Sequence, residues 1–220
     1  MTIMEAIEAR HSVRQFEDRK IEKELVQTLQ SEIDGINKES GLHIQMFTEE
    51  PEAFQASKPS YGQFSGCRNY FALVGGKGKD EEIGYFGQRL ALFAQQNGLN
   101  TCWVALTYKK GKVAPKINPG EKLYIVIALG YGKTQGATHR VKDETAVSDI
   151  TSDSPEWYRN GVKAAILAPT AMNQQKFKLT RVGDKVSAKV AGMGFYTKID
   201  LGIVKYNFEV GAGKENFNWA

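Results

Sequence analysis

Cysteine is nearly absent from this chain. Only Cys67 and Cys102 occur among 220 residues, and the three histidines, His11, His43 and His139, are scattered. Two thiols cannot build a disulfide framework, and this set offers too few clustered ligands for zinc, so no metal site is expected. Such cysteine usage fits a reducing compartment, and the cytoplasm is the expected location. No apolar run approaches the roughly 20 residues that a membrane-spanning helix requires, so no membrane is expected. The opening Met1-Thr2-Ile3-Met4-Glu5 lacks a basic region leading into an apolar core, so no secretory leader is expected. Blocks of one charge sign are missing too. With 29 Lys and Arg against 25 Asp and Glu, the net charge of +4 is too mild to imply nucleic acid.

What is present is an ordinary globular composition, 41% hydrophobic and 25% charged, long enough for one large domain or two small ones. Helices are expected over residues 3–9, 21–37 and 81–97; in the second, Ile21, Leu25, Leu29, Ile33 and Ile36 fall on one face. A further helix starts at Ser154-Pro155 and stops near Pro169, and a last one carries Ile199, Ile203, Tyr206 and Val210. Strands are expected at 42–48, 69–74 and 99–106, and Leu123–Leu129 reads as a central strand covered on both faces. Phe177, Leu179 and Val182 lead into a hairpin turned by Gly183-Asp184. Gly84 and Gly87 mark a helix packed closely on another backbone. The glycine-rich run Gly75–Asp80 matches neither a Walker loop nor a dinucleotide fingerprint, and reads as a strand-to-helix connection. The long loop over 50–66 either borders a pocket, with Tyr61 as a lining ring, or is a surface excursion.

Chemistry concentrates in Arg10-His11-Ser12-Val13-Arg14. Two guanidinium groups four residues apart, with a hydroxyl between them, suit the oxygens of a phosphate. In an extended stretch Arg10, Ser12 and Arg14 project to one side. On these residues alone a basic surface segment is the simpler reading. The two halves of the chain also echo each other: Gly87 precedes Gly98 by eleven residues and Gly202 precedes Gly213 by eleven, and each helix is followed by a tryptophan, Trp103 or Trp219. This suggests a degenerate tandem repeat, 1–145 and 150–220, with the second copy trimmed.

Three motifs give these features a context. Arg-His-Ser-Val-Arg-Gln-Phe at 10–16, Gly-Leu-Asn-Thr-Cys-Trp at 98–103 and Ala-Pro-Thr-Ala-x-Asn-x-Gln at 168–175 resemble the FMN-dependent nitroreductase family. Lys176-Phe177 departs from the family's usual Pro-Trp. The resemblance implies an α+β fold with a central, mostly antiparallel sheet flanked by helices. It implies that Arg10, His11, Ser12 and Arg14 hold the FMN phosphate, with Arg140 either a further phosphate ligand or a surface arginine. It puts Pro169, Thr170, Ala171 and Asn173 against the ribityl chain and ring. Thr101 and Trp103 lie at the ring-facing strand end, where Trp103 is either a ring contact or a core aromatic.

In this family the first and third motifs belong to one copy of the fold, and flavin lies between two subunits. Here they are split between the halves, so the chain resembles a divergent branch with two fused copies, an internal pseudo-dimer keeping one site. A monomer can then be complete, and a homodimer is the other arrangement. The implied activity is ping-pong transfer of hydride from NADH or NADPH through FMN to a small-molecule acceptor such as a nitroaromatic or quinone. No side chain is required as acid or base. The alternatives are a flavin-binding carrier or redox sensor without turnover, and a structural α+β domain without flavin.

Overall fold

A computed structural model describes residues 1–55 and 62–220; Tyr61 lies outside the described residues. The elements are α1 (Ile3–Ala9), α2 (Lys23–Ser40), β1 (Gln45–Phe47), β2 (Asn69–Gly76), α3 (Asp80–Gln96), β3 (Asn100–Val104), β4 (Glu121–Gly130), α4 (Glu144–Val147), α5 (Glu156–Ile166), β5 (Phe177–Val182), β6 (Lys185–Val190), α6 (Thr197–Ala212) and β7 (Asn218–Trp219). Antiparallel pairing dominates two sheets, so the chain has the α+β fold expected. It divides into two compact units that interleave in sequence: Ala9–Lys79 with Leu90–Thr138, and Met1–Glu8 with Asp80–Arg89 and His139–Ala220. Helix α3 contributes its first ten residues to one unit and the rest to the other.

The first unit is built on a sheet of order β1-β2-β4-β3, antiparallel throughout. Its apolar run at 125–129 is buried on both faces, as a central strand must be. Tyr70 and Ala72 of β2 pair across to Ala128 and Val126, and with Val13, Phe16, Cys102 and Val104 they form one face of the core. Helix α2 buries Leu29, Ile33 and Ile36 and runs to Ser40, beyond the expected stop at 37. Gly41 is its true stop: at φ 68° its N–H caps the Asn37 carbonyl, a conformation that costs glycine little. The Asn37 side chain instead bonds the backbone of Ile44, tying the helix to the β1 segment.

The second unit carries β5 and β6 antiparallel, with β7 added parallel to β6 through Lys185 and Asn218. Helix α6 is buried almost all round, which only an enclosed helix tolerates. Two reciprocal approaches bring it onto the first part of α3. A β-carbon on Gly84 would stand 1.9 Å from the Ile199 carbonyl oxygen, and one on Gly202 would stand 1.9 Å from the Glu81 carbonyl oxygen. Gln88 Nε2 donates to Asn207 Oδ1 at 3.0 Å within the same contact.

Candidate functional site

Residues 12–16 run as an extended thread alongside β3. Val13 N–H donates to the Thr101 carbonyl at 3.1 Å, Phe16 N–H donates to the Ser65 carbonyl at 2.8 Å, and Ser65 N–H returns a bond to the Arg14 carbonyl at 3.0 Å. Three glycines let neighbouring backbone reach it. A β-carbon on Gly66 would lie 2.2 Å from Phe16 O, one on Gly132 2.9 Å from Val13 Cγ1, and one on Gly136 2.7 Å from His11 Cβ. Val13 and Phe16 point into the core, while Ser12 is half-buried and Arg14 exposed.

Arg10 is the anomaly. Its side chain is only 2% exposed, yet Nε and Nη1 have no hydrogen-bond partner. Burial pulls its pKa down to about 10, so it remains a cation at neutral pH. A buried charge ordinarily demands a counter-charge. Ser12 bridges to Thr101, which sets the start of the thread beside β3. On β3 itself, Thr101 Oγ1 and Trp103 Nε1 are also buried and unpartnered. A cavity of about 290 Å³ is lined by Phe54, Phe64, Ser65 and Cys67 rather than by these groups.

The third motif, at 168–175, forms a loop in the other unit. Met172, Asn173 and Gln175 all adopt positive φ, at 52°, 52° and 45°, a costly conformation for side-chain-bearing residues. Side chains hold it there. Gln175 is buried; its Nε2 donates to the Arg140 carbonyl and to Asn173 Oδ1, and its Oε1 accepts from Lys142 N–H at 2.8 Å. Thr170 Oγ1 accepts from Gln175 N–H, and Asn173 Nδ2 donates to the Arg140 carbonyl. Asp200, at the start of α6, accepts from Ala171 N–H at 2.9 Å and from Gln174 Nε2 at 2.7 Å. Burial raises its carboxyl pKa to about 6, the two hydrogen bonds opposing that rise.

The expected site residues therefore fall into two groups. Arg10, His11, Ser12, Arg14, Thr101 and Trp103 lie in the first unit, and Arg140, Pro169, Thr170, Ala171 and Asn173 in the second. Arg140 serves the 170–175 loop through its carbonyl, while its side chain is exposed. Sequence reasoning missed Asp200 and the structural use of Gln175. The one local signal for Asp200 is a lone carboxylate in the apolar run Ile199-Asp200-Leu201.

The profile of the family described as "Putative TM nitroreductase" matches residues 2–212. The chain belongs to this nitroreductase family. Among solved structures, a putative nitroreductase from Thermotoga maritima is 24% identical with a TM-score of 0.69, covering 98% of this chain and 85% of that one. A putative nitroreductase in complex with FMN from Desulfovibrio desulfuricans is 16% identical, TM-score 0.52, over 70% of this chain and 98% of that one. A putative NADH dehydrogenase/NAD(P)H nitroreductase from Bacteroides thetaiotaomicron is 18% identical, TM-score 0.51, over 66% and 95%. No curated protein matches. At these identities the likeness is one of fold, and the fold is that of the nitroreductases. No helix among the described residues of this nitroreductase is long and apolar enough to cross a membrane, and they hold no cluster of His, Cys, Asp and Glu suited to a metal.

Proposed function

We propose that this nitroreductase is an FMN-dependent NAD(P)H oxidoreductase that passes hydride, in ping-pong fashion, to nitroaromatic, quinone or related acceptors in the cytoplasm. The observation that carries the reading is Arg10, a buried guanidinium with two unpartnered nitrogens. A phosphate dianion answers that demand, with Ser12 adding a hydroxyl donor and exposed Arg14 a second cation. Bound FMN would supply the redox chemistry. The chain's part is to bind and orient it: Arg10, His11, Ser12 and Arg14 at the phosphate, Thr101 and Trp103 at the strand end, and Pro169, Thr170, Ala171 and Asn173 toward the ribityl chain and ring. We assign Arg140 to the phosphate group as well, through its exposed side chain.

The amides of Asn173 and Gln175 already bond within their own loop. That loop therefore meets a ring as a preset surface rather than through free side chains. The pseudo-dimer reading, with a monomer complete in itself, belongs to the same proposal. Reconstituting the protein with FMN, then adding NADH or NADPH anaerobically, tests it. Loss of the oxidised-flavin absorbance, regained on adding a quinone, is the expected result. Bound flavin that does not bleach would identify a carrier or redox sensor, and failure to bind FMN would remove the assignment.

A further inference from the structure

We propose that the second unit docks on an anionic membrane surface through two neighbouring loops, 170–175 and 191–196. The three most exposed large apolar side chains among the described residues lie on them: Met172 at 97%, Met193 at 93% and Phe195 at 83%. Side chains this exposed add nothing to packing, and several together in one place mark a surface meant for contact. The two loops are fastened to each other. Gln174 Nε2 donates to the Phe195 carbonyl at 2.9 Å, the Lys176 ammonium donates to the Met193 carbonyl, and Ala191 N–H donates to the Lys176 carbonyl at 3.0 Å. Gly194 permits this approach, since a β-carbon there would stand 2.3 Å from Gln174 Oε1. Met172, at φ 52°, and Tyr196, at φ 61°, hold the tips in conformations that cost a side-chain-bearing residue free energy. Both loops belong to His139–Ala220, within one unit.

The charge around the tips selects the occupant. No Asp or Glu occurs over 164–183 or 185–199. Lys142 and Lys176 bond the carbonyl oxygens of Gln174, Gln175 and Met193, so each keeps its full charge. Arg140 and Lys198 are exposed. The flanking carboxylates are engaged elsewhere: Asp143 accepts from Thr145 N–H, Asp184 bonds Asn218 at the far end of the β5–β6 hairpin, and Asp200 is buried holding the loop. Apolar tips flanked by cations match a lipid surface with anionic head groups. The tips enter the interface, and the basic side chains meet the phosphates. A small molecule would need a concave site, which side chains this exposed do not line. A protein partner would need roughly 20 residues on each side, far more than two loop tips present. Surface docking needs no spanning helix, and the described residues contain none.

The test sediments the full chain with vesicles of phosphatidylcholine alone, or of phosphatidylcholine and phosphatidylglycerol in equal parts. The protein should pellet with the mixed vesicles at low salt, leave them as salt rises, and stay in solution with phosphatidylcholine. Phe195→Ser and Met193→Ser should each weaken binding about tenfold, and Lys198→Gln about fivefold. Val182→Ser is the control: Val182 is 81% exposed at the hairpin turn, away from the patch, and its loss should change nothing. Phe195→Trp should bind like the wild type and gain a blue-shifted emission that brominated acyl chains quench. Urea unfolding of Phe195→Ser should match the wild type, since the ring packs on nothing. Binding to neither vesicle, equal binding to both, or an equal loss in Val182→Ser overturns the proposal. So does a dimer in sedimentation equilibrium that Phe195→Ser dissolves, which would make the patch a contact between copies. Flavin fluorescence reports FMN binding separately, so docking and the FMN reading stand or fall independently.

Discussion

The thread at 12–16 and the loop at 170–175 carry motifs of similar length, and they are held by opposite means. The thread is fixed by main-chain bonds to Thr101 and Ser65 and by glycines that admit neighbouring backbone. Those main-chain bonds do not draw on the side chains of Ser12 and Arg14. The loop is fixed by its own side chains, chiefly Gln175 and Thr170, with Asp200 from α6, against three positive φ angles. A polar motif residue can therefore be ligand or scaffold, and only its hydrogen bonds say which.

The largest way to break this contrast is Gly66→Ala. A methyl group there meets Phe16 O at 2.2 Å with φ at 69°, so the thread must move. We expect a loss of about 3–4 kcal/mol in urea unfolding, with FMN retention lost as well. Next is Arg10→Met. Removing an unpartnered buried cation should leave the flavin-free protein as stable or about 1 kcal/mol more stable. The same change should weaken FMN binding by about 100-fold, as loss of a charged hydrogen-bonding partner does. Equal losses in both measurements would make Arg10 a structural residue.

Asp200 gives the loop a pH dependence in the acid range. Between about pH 4 and 6 the folded protein still holds the proton on Asp200 that the unfolded chain has released. Stability should therefore be highest below pH 4 for this group and fall through pH 6, by at most about 2–3 kcal/mol. Asp200→Asn should flatten that slope in unfolding curves taken across the range. The smallest effect compares Gln175→Ala with Gln175→Gly in urea unfolding. Both lose the bonds to Lys142 and Arg140, and Gln175→Gly alone relieves the positive φ, so it should be the milder by about 1 kcal/mol.

Much of the scaffold could be read from the residues. The α2 stripe, the doubly covered 125–129 strand, the 177–190 hairpin and the close approach of Gly84 all follow from local pattern and glycine chemistry. What could not be read depends on distant partners. Helix α2 passes Asn37 because that amide is spent on Ile44. The tail at Trp219 becomes a strand because Lys185 and Val186 receive it. The motif 10–14 announced its cations, but that Arg10 would be buried without a partner is a property of the packing around it. The use of Gln175 and Asp200 was hidden for the same reason: a side chain's bond to a backbone group 29 or 35 residues away leaves no period in the sequence.

The interleaving of the two units bears on how the molecule is made. Translation delivers Ala9–Lys79 and Leu90–Thr138 first, so the unit carrying Arg10 can close while residues 139–220 are still being synthesised. The other unit needs Met1–Glu8 and Asp80–Arg89, which must wait on the ribosome-bound chain for their partners to emerge. Nascent chains stalled beyond Thr138 should accordingly resist protease over Leu90–Thr138 while Asp80–Arg89 stays open to cleavage, and no single cut in the gene would release either unit as a contiguous fragment.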